Sequence, residues 1–343
     1  MYEIASENAK NRRDLFEKTA RKMDVSEAIV EKDFWVCFLL DLLFHQSQDA
    51  AHFCFKGGTS LSKGYGVIRR FSEDIDLILD WRLLGYSKNE PWDERSNTQQ
   101  EAFNDVMNEK TGEYLATSLM PNLESLAKKH ISESVRFHIE ENERQTICFV
   151  YPHLFRDSYV VPEIRLEIGA LAAWTPFTDT TIQPYAAERY PRLFKQAGTV
   201  IRTVQAKRTF WEKAVILHKE AHRAKGNVPD RYARHYYDLY MLSQTSAKDE
   251  ALADVELLNT VACFNQKFYH SSWARYEEAT LEKIRLVPSA ETTAMLAKDY
   301  RSMQEMLFGD KPSFDMIMQG LGELESEMHQ VGATTRLCPV HEQ

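Results

Sequence analysis

Cysteine is scarce in this chain. Its five residues, Cys37, Cys54, Cys148, Cys263 and Cys338, are odd in number and scattered over 343 positions, with no CxxC pair and no zinc-ligand spacing. A disulfide scaffold is excluded, and a reducing cytoplasm is the expected compartment. Long apolar runs are also missing. The most apolar stretch, FWVCFLLDLLF at residues 34–44, is interrupted by Asp41 and falls well short of the roughly 20 residues a membrane span needs. It reads as a buried helix, and no membrane partner is expected. The N-terminal MYEIASENAKNRRDLF mixes acids with its basics and offers neither an apolar h-region nor a small-residue cleavage site, so a secretory leader is not expected. Positive charge is not in excess either. A net charge of -9 argues against binding nucleic acid over the whole surface, which would draw its affinity from phosphate neutralisation, and leaves room only for a local basic face. No internal repeat and no low-complexity tract is visible.

What is present is the composition of a folded protein. Hydrophobic residues at 43% and charged residues at 27% allow a sizeable core, and 343 residues fit one enzyme core carrying a helical appendage. Apolar residues recur at helical spacing from Glu7 to Lys22 and from Ser26 to Phe44. The run HFCF at 52–55 then reads as a strand ending at Lys56-Gly57-Gly58, after which Thr59 caps a short helix through about Lys63. Asp74 to Leu79 is the next strand, followed by a turn-rich segment. A helical pattern runs from Glu101, capped by Thr98, towards Lys129, with Pro121 breaking or kinking it. Ser134–Glu140, Thr146–Tyr151 and Glu163–Ile168 are expected to extend the same sheet. Beyond Pro191 the pattern is helical, at Lys207–Lys225, Asp230–Leu242, Lys248–Phe268, Glu291–Phe308 and Ser313–Met328. The expected domains are therefore 1–190 and 191–330, with a frayed tail from Val331 to Gln343.

The chemistry concentrates around two aspartates. Asp74 and Asp76 are two apart on a strand, so both side chains point to one face and can share divalent cations through hard oxygen ligands. Such ions can activate an attacking oxygen and steady a leaving pyrophosphate. Upstream, Gly57 and Gly58 permit close backbone approach, the following helix start offers N–H groups to a phosphate, and Thr59 or Ser60 can add a hydroxyl donor; a plain capped turn is the competing reading. A third carboxylate should come from a neighbouring strand. Glu167 is the candidate and Glu163, four residues away on the same face, is its rival.

Residues 202–234 are strongly basic through Arg202, Lys207, Arg208, Lys213, Lys219, Arg223, Lys225, Arg231 and Arg234, which suggests a nucleotide or RNA contact surface. Tyr232, Tyr236, Tyr237 and Tyr240 are either core residues or stacking platforms, with the core the commoner fate of helical aromatics. Arg234, four residues before Asp238, suggests an intrahelical ion pair, and His235 reads as structural.

Four segments carry a family resemblance. Phe55-Lys56-Gly57-Gly58-Thr59-Ser60-Leu61 with Arg70-Phe71-Ser72-Glu73-Asp74-Ile75-Asp76-Leu77, then Lys207–Lys213, then Arg231–Tyr240, together with the N-terminal Val30–Trp35, resemble the motifs of the AbiEii/AbiGii toxin nucleotidyltransferases, over roughly residues 25–245. The resemblance implies an α+β fold: a polymerase-beta-like nucleotidyltransferase core with a mixed sheet, plus a helical C-terminal lobe. It implies a toxin of a bacterial toxin–antitoxin or phage-defence system, using magnesium and an NTP, with a cognate antitoxin as partner. Its acceptor would be RNA, as in relatives that extend the acceptor end of tRNA. Carried over by position, Asp74 and Asp76 hold magnesium, Lys213 binds the triphosphate, and Asp238 completes the active site; Lys207, in the Lys213 motif, is placed with the nucleotide. Modification of a protein hydroxyl, or a non-catalytic binding module on the same fold, are the alternatives.

Overall fold

The computed structural model describes residues 1–72, 74–157, 160–223 and 228–337. Glu73, Lys225 and the segment from Cys338 to Gln343 lie outside the described residues. The chain divides into two compact units, Met1–Tyr65 with Phe71–Val204, and Gly66–Arg70 with Gln205–Gln343.

The first unit is built on a seven-stranded mixed sheet in the order β3-β4-β5-β2-β1-β7-β6. Its strands are β1 (Phe53–Lys56), β2 (Asp74–Leu79), β3 (Arg136–Ile139), β4 (Thr146–Val150), β5 (Glu163–Gly169), β6 (Phe177–Ile182) and β7 (Thr199–Val204). Strand β2 runs antiparallel to β1 and parallel to β5, so it sits at the middle of the sheet. Alternation decides its two faces. Ile164, Leu166 and Ile168 of β5 are buried, while Glu163, Arg165 and Glu167 between them are half-exposed. Helices of this unit are α1 (Tyr2–Ser6), α2 (Ala9–Met23), α3 (Glu27–His45), α4 (Gly57–Thr59), α5 (Asn97–Tyr114), α6 (Met120–Ala127) and α7 (Tyr185–Arg189).

Helix α3 covers the apolar face. It is buried all round from Val30 to Leu43, and Trp35 meets Phe149 and Tyr151 at ring separations of 6.2 and 6.1 Å. Buried acids in such a helix need partners. Glu31 accepts from the backbone N–H groups of Leu154 (2.8 Å) and Phe155 (3.2 Å). Asp33 accepts from Tyr185 N (2.6 Å) and pairs with Lys63 Nζ at 2.8 Å, fixing the segment just after the glycine turn.

Unit two holds α8 (Ala206–Ala221), α9 (Ala233–Ser243), α10 (Ser246–Leu252), α11 (Val255–Phe268), α12 (Ala290–Met303) and α13 (Phe314–Leu337). Helices α8 and α9 pack against each other, and Phe210 and Trp211 of the first and Tyr236 and Tyr237 of the second are all at most 1% exposed. Among the described residues no helix is long and apolar enough to cross a membrane.

Several sequence expectations need correction. Strands β6 and β7 were not anticipated, and β7, hydrogen-bonded beside β1, carries the first unit past residue 190 to Val204. The helical pattern at 248–268 breaks where the Asp254 side chain accepts from Leu257 N and starts α11 afresh. Helix α5 starts earlier than expected because Ser96, not Thr98, caps it, in a reciprocal box with Gln99. Pro121 stands in the first turn of α6, next to a π-helical stretch at Leu115–Leu119. Residues 331–337, expected to fray, continue α13.

Candidate active site

The centre of the site is a row of three residues on three adjacent strands. Lys56 of β1 is paired with Asp76 of β2, and Asp76 with Glu167 of β5. Paired residues in neighbouring strands share a face and lie about 5 Å apart. Asp74, one pleat away on β2, is paired with Arg165 of β5 and shares that face. The register puts Glu167 beside Asp76, whereas Glu163 pairs with Val150 four residues back along β5.

The third carboxylate is perturbed by its surroundings. Glu167 is pushed up to about 7, first by its partial burial and then by the negative charges of Asp76 and Asp74. One internal cation offsets part of this. Arg165 binds Glu140 at 2.8 Å and Glu143 at 2.6 Å, and its Nε lies 4.0 Å from Asp74 and 3.9 Å from Glu167. Arg165 in turn holds the Glu140 carboxyl below the usual range.

The glycine turn is shaped around Asp76. Gly57 has φ +76°, and a Cβ placed on it would lie 1.9 Å from Asp76 Oδ2, so glycine leaves the room that the Asp76 carboxylate occupies. Both predicted hydroxyls face inward to the backbone. Thr59 donates to the Asp74 carbonyl and Ser60 to the Gly57 carbonyl at 2.8 Å, which ties the turn to the strand that carries the aspartates. Thr59 and Ser60 are buried together with Gly58, so they act on the geometry of the turn. Lys56, Asp76 and Glu167 line a cleft of about 640 Å³, with Asn108 and Glu109 of α5 and the loop 142–146 forming its other side. That is a volume fit for a nucleotide-sized ligand. The contribution of α5 and of Gln145, which donates to Asn108 at 2.8 Å, was not foreseen; a polar helix face followed by a polar hairpin was the available signal.

Unit two contains a separate buried ionic cluster. Asp238 is fully buried and accepts a bidentate pair from Arg70, Nε to Oδ1 at 2.8 Å and Nη2 to Oδ2 at 3.0 Å. Lys213 Nζ lies 3.0 Å from Asp238 Oδ2 and 3.0 Å from His235 Nδ1. The expected pairing of Asp238 with Arg234 is thus replaced by Arg70 and Lys213. Although burial works against ionisation of Asp238, the two cations hold its carboxyl far below the ordinary range. Burial, aided by the neighbouring Arg70, lowers Lys213 despite the opposing pull of Asp238, and burial with the Lys213 charge lowers His235 well below the usual imidazole value. A neutral His235 accepting from a Lys213 ammonium satisfies both. The cluster carries two cations against one anion, a surplus suited to an anionic ligand.

Much of the predicted basic surface is engaged within the chain. Lys207 pairs with Asp254 at 2.7 Å, Arg208 with Glu212 at 2.9 Å and Arg223 with Glu220 at 2.6 Å, while Lys219 and Arg223 lie over the Trp273 ring. In the first unit Arg202 donates to the Ala51 carbonyl at 2.6 Å. Arg70, held by Asp238, lines a cavity of about 190 Å³ together with Arg231, Arg234 and Asp299. Tyr236 and Tyr237 are core residues, and the Tyr237 hydroxyl accepts from Arg69 N at 3.1 Å, so neither is a stacking platform.

Comparison with known proteins gives a family. A model of the family described as nucleotidyl transferase AbiEii toxin, type IV TA system, matches residues 41–320. No curated protein matches the chain. Among solved structures, the nucleotidyltransferase toxin MenT4 from Mycobacterium tuberculosis H37Rv is similar at 13% identity and a TM-score of 0.39, covering 94% of this chain and 98% of that one.

Proposed function

The chain belongs to the AbiEii nucleotidyltransferase toxin family of type IV toxin–antitoxin systems, and on that premise we propose that it transfers a nucleoside monophosphate from an NTP to RNA with the help of magnesium. The observation that carries the reading is that Asp76 of β2 and Glu167 of β5 are paired, share a face with Asp74, and line the 640 Å³ cleft.

The residues present fit a divalent cation. Their donors are all hard carboxylate oxygens, which suit magnesium. Burial first, and then the charges of Asp76 and Asp74, raise Glu167; a bound cation would relieve the second, and the bare Gly57 leaves Asp76 Oδ2 the space it needs. A divalent ion there supplies charge neutralisation on the triphosphate and acidifies the attacking hydroxyl. The chain's own groups do the rest. Lys56, abreast of Asp76, meets the negative charge of the phosphates. Glu167, abreast of Asp76, is placed to take the proton as the acceptor oxygen bonds to the α-phosphorus and pyrophosphate leaves. Lys213, in its surplus-charge cluster, is assigned to the triphosphate, and Asp238 to holding Lys213 and Arg70 in place.

For the acceptor, the tRNA 3′ end is proposed from the family motifs at Lys207–Lys213 and Arg231–Tyr240, with support from the arginines grouped around the second cavity. On this reading the protein acts in the cytoplasm, held in check by an antitoxin, in growth control or phage defence. The test is incubation with each labelled NTP, magnesium and total cell RNA or protein, beside an Asp76→Asn control. Label entering tRNA only with the unaltered chain supports the proposal. Label in the protein fraction, or in neither, overturns it.

A further inference from the structure

Glu163, displaced from the catalytic row by the register, belongs to a different cluster on the same sheet face. His138 of β3 is paired with Cys148 of β4, and Glu163 of β5 is paired with Val150, two residues along from Cys148. All of these residues point to one side of the sheet. A ring nitrogen of His138, Sγ of Cys148 and a carboxylate oxygen of Glu163 lie within 4.8 Å of one another. The buried Nδ1 of His138 has no hydrogen-bond partner among the described residues, a cost a folded chain rarely leaves unanswered.

From these positions we propose that His138, Cys148 and Glu163 bind a single zinc ion, separate from the catalytic carboxylates. The donor set decides the metal. One nitrogen, one sulfur and one oxygen match zinc, whereas magnesium takes oxygen alone. Zinc–ligand bonds of about 2.0–2.3 Å place tetrahedral donors roughly 3.3–3.8 Å apart, so the trio closes on an ion with side-chain shifts of about 1 Å. All three ligands stand on paired strands, which hold them more rigidly than loops do. The fourth position is left to water. Binding forms bonds from nitrogen, sulfur and oxygen to the ion, the Cys148 thiol proton leaves to solvent, and no electron is transferred. Glu163 stands about 13 Å along β5 from Glu167 at strand rise, which keeps the two metals apart. Sequence spacing hid the site because its ligands come from three strands.

The test uses the full chain, stripped of metal with a chelator and titrated with Co2+, whose thiolate complexes give a sulfur-to-cobalt charge-transfer absorption. The expected result is one such cobalt per chain, with the absorption lost on adding Zn2+ and absent in Cys148→Ser. It should persist in Asp76→Asn and in Cys263→Ser, the variant of the exposed cysteine. His138→Gln and Glu163→Gln should each weaken cobalt binding by at least about tenfold. Circular dichroism reports whether each variant is folded. Should a variant fail to fold, the unaltered chain still decides through its melting temperature, which Zn2+ must raise at concentrations where Mg2+ does not. No charge-transfer absorption in the unaltered chain, or one that survives in Cys148→Ser, overturns the proposal.

Discussion

Gly57 and Asp76 occupy each other's space: the position of a Cβ on Gly57 coincides with the carboxylate of Asp76, 1.9 Å from Oδ2. The Gly57→Ala variant must therefore either push Asp76 off its pleat or open the turn, in addition to straining a backbone at φ +76°. Left-handed strain costs about 1–2 kcal/mol per residue. A displacement of about 1 Å at a reacting centre costs about 100-fold in rate. The expectation is a folded variant, about 1–2 kcal/mol less stable, with transfer reduced by about 100-fold or more. Denaturant melts and initial rates check it; near-normal rates would show that Asp76 does not need this position.

Replacing either aspartate should separate activity from stability. Asp74→Asn and Asp76→Asn each remove one of three clustered carboxylates, so transfer should fall below detection while the melting temperature in magnesium-free buffer stays level or rises, because repulsion is relieved. Loss of fold in both variants would show that the aspartates hold the sheet together.

Glu167 sets the pH response. Its folded pKa, about 7, stands above the ordinary carboxylate value, so the folded chain binds more protons than the unfolded chain between those two values. Its contribution to stability is complete at acid pH and is lost as pH rises through 7. Asp76→Asn removes one of the negative charges that raise it, so the Glu167 pKa read by carbon NMR on the magnesium-free chain should drop towards the ordinary carboxylate range. An unmoved value would mean that burial alone raises it.

Asp238 is expected to matter first to the fold of the second unit. It is 0% exposed with Arg70 and Lys213 on its oxygens, so Asp238→Asn leaves two cations without their counter-charge, at a cost of about 3–5 kcal/mol. Lys213→Met keeps the Arg70–Asp238 pair and should cost less. If Lys213 meets phosphate charge that develops during transfer, the same variant lowers kcat; if it only holds bound nucleotide, it raises KM. Unaltered kcat and KM for every NTP substrate would remove Lys213 from the site.

Local patterns were enough to read much of this protein. The two-residue spacing of Asp74 and Asp76 sets their common face wherever the strand lies, because the pleat repeats every two residues. The apolar run at 34–44 declares a buried helix by composition, and Lys56-Gly57-Gly58 declares a turn by its backbone freedom. The motifs at 207–213 and 231–240 pointed to the family that residues 41–320 match. Strand β6 escaped because Phe177–Ile182 is largely exposed, and what makes β6 and β7 strands is their pairing with each other. Only the tertiary structure could choose Glu167 over Glu163, since both share a face and the register with β2 alone decides which stands beside Asp76. Only it could give Asp238 a partner 168 residues away in Arg70, in preference to the arginine one helical turn before it. Spacing along a chain determines direction within an element; which elements meet depends on burying the apolar faces together, and that is settled by the whole fold.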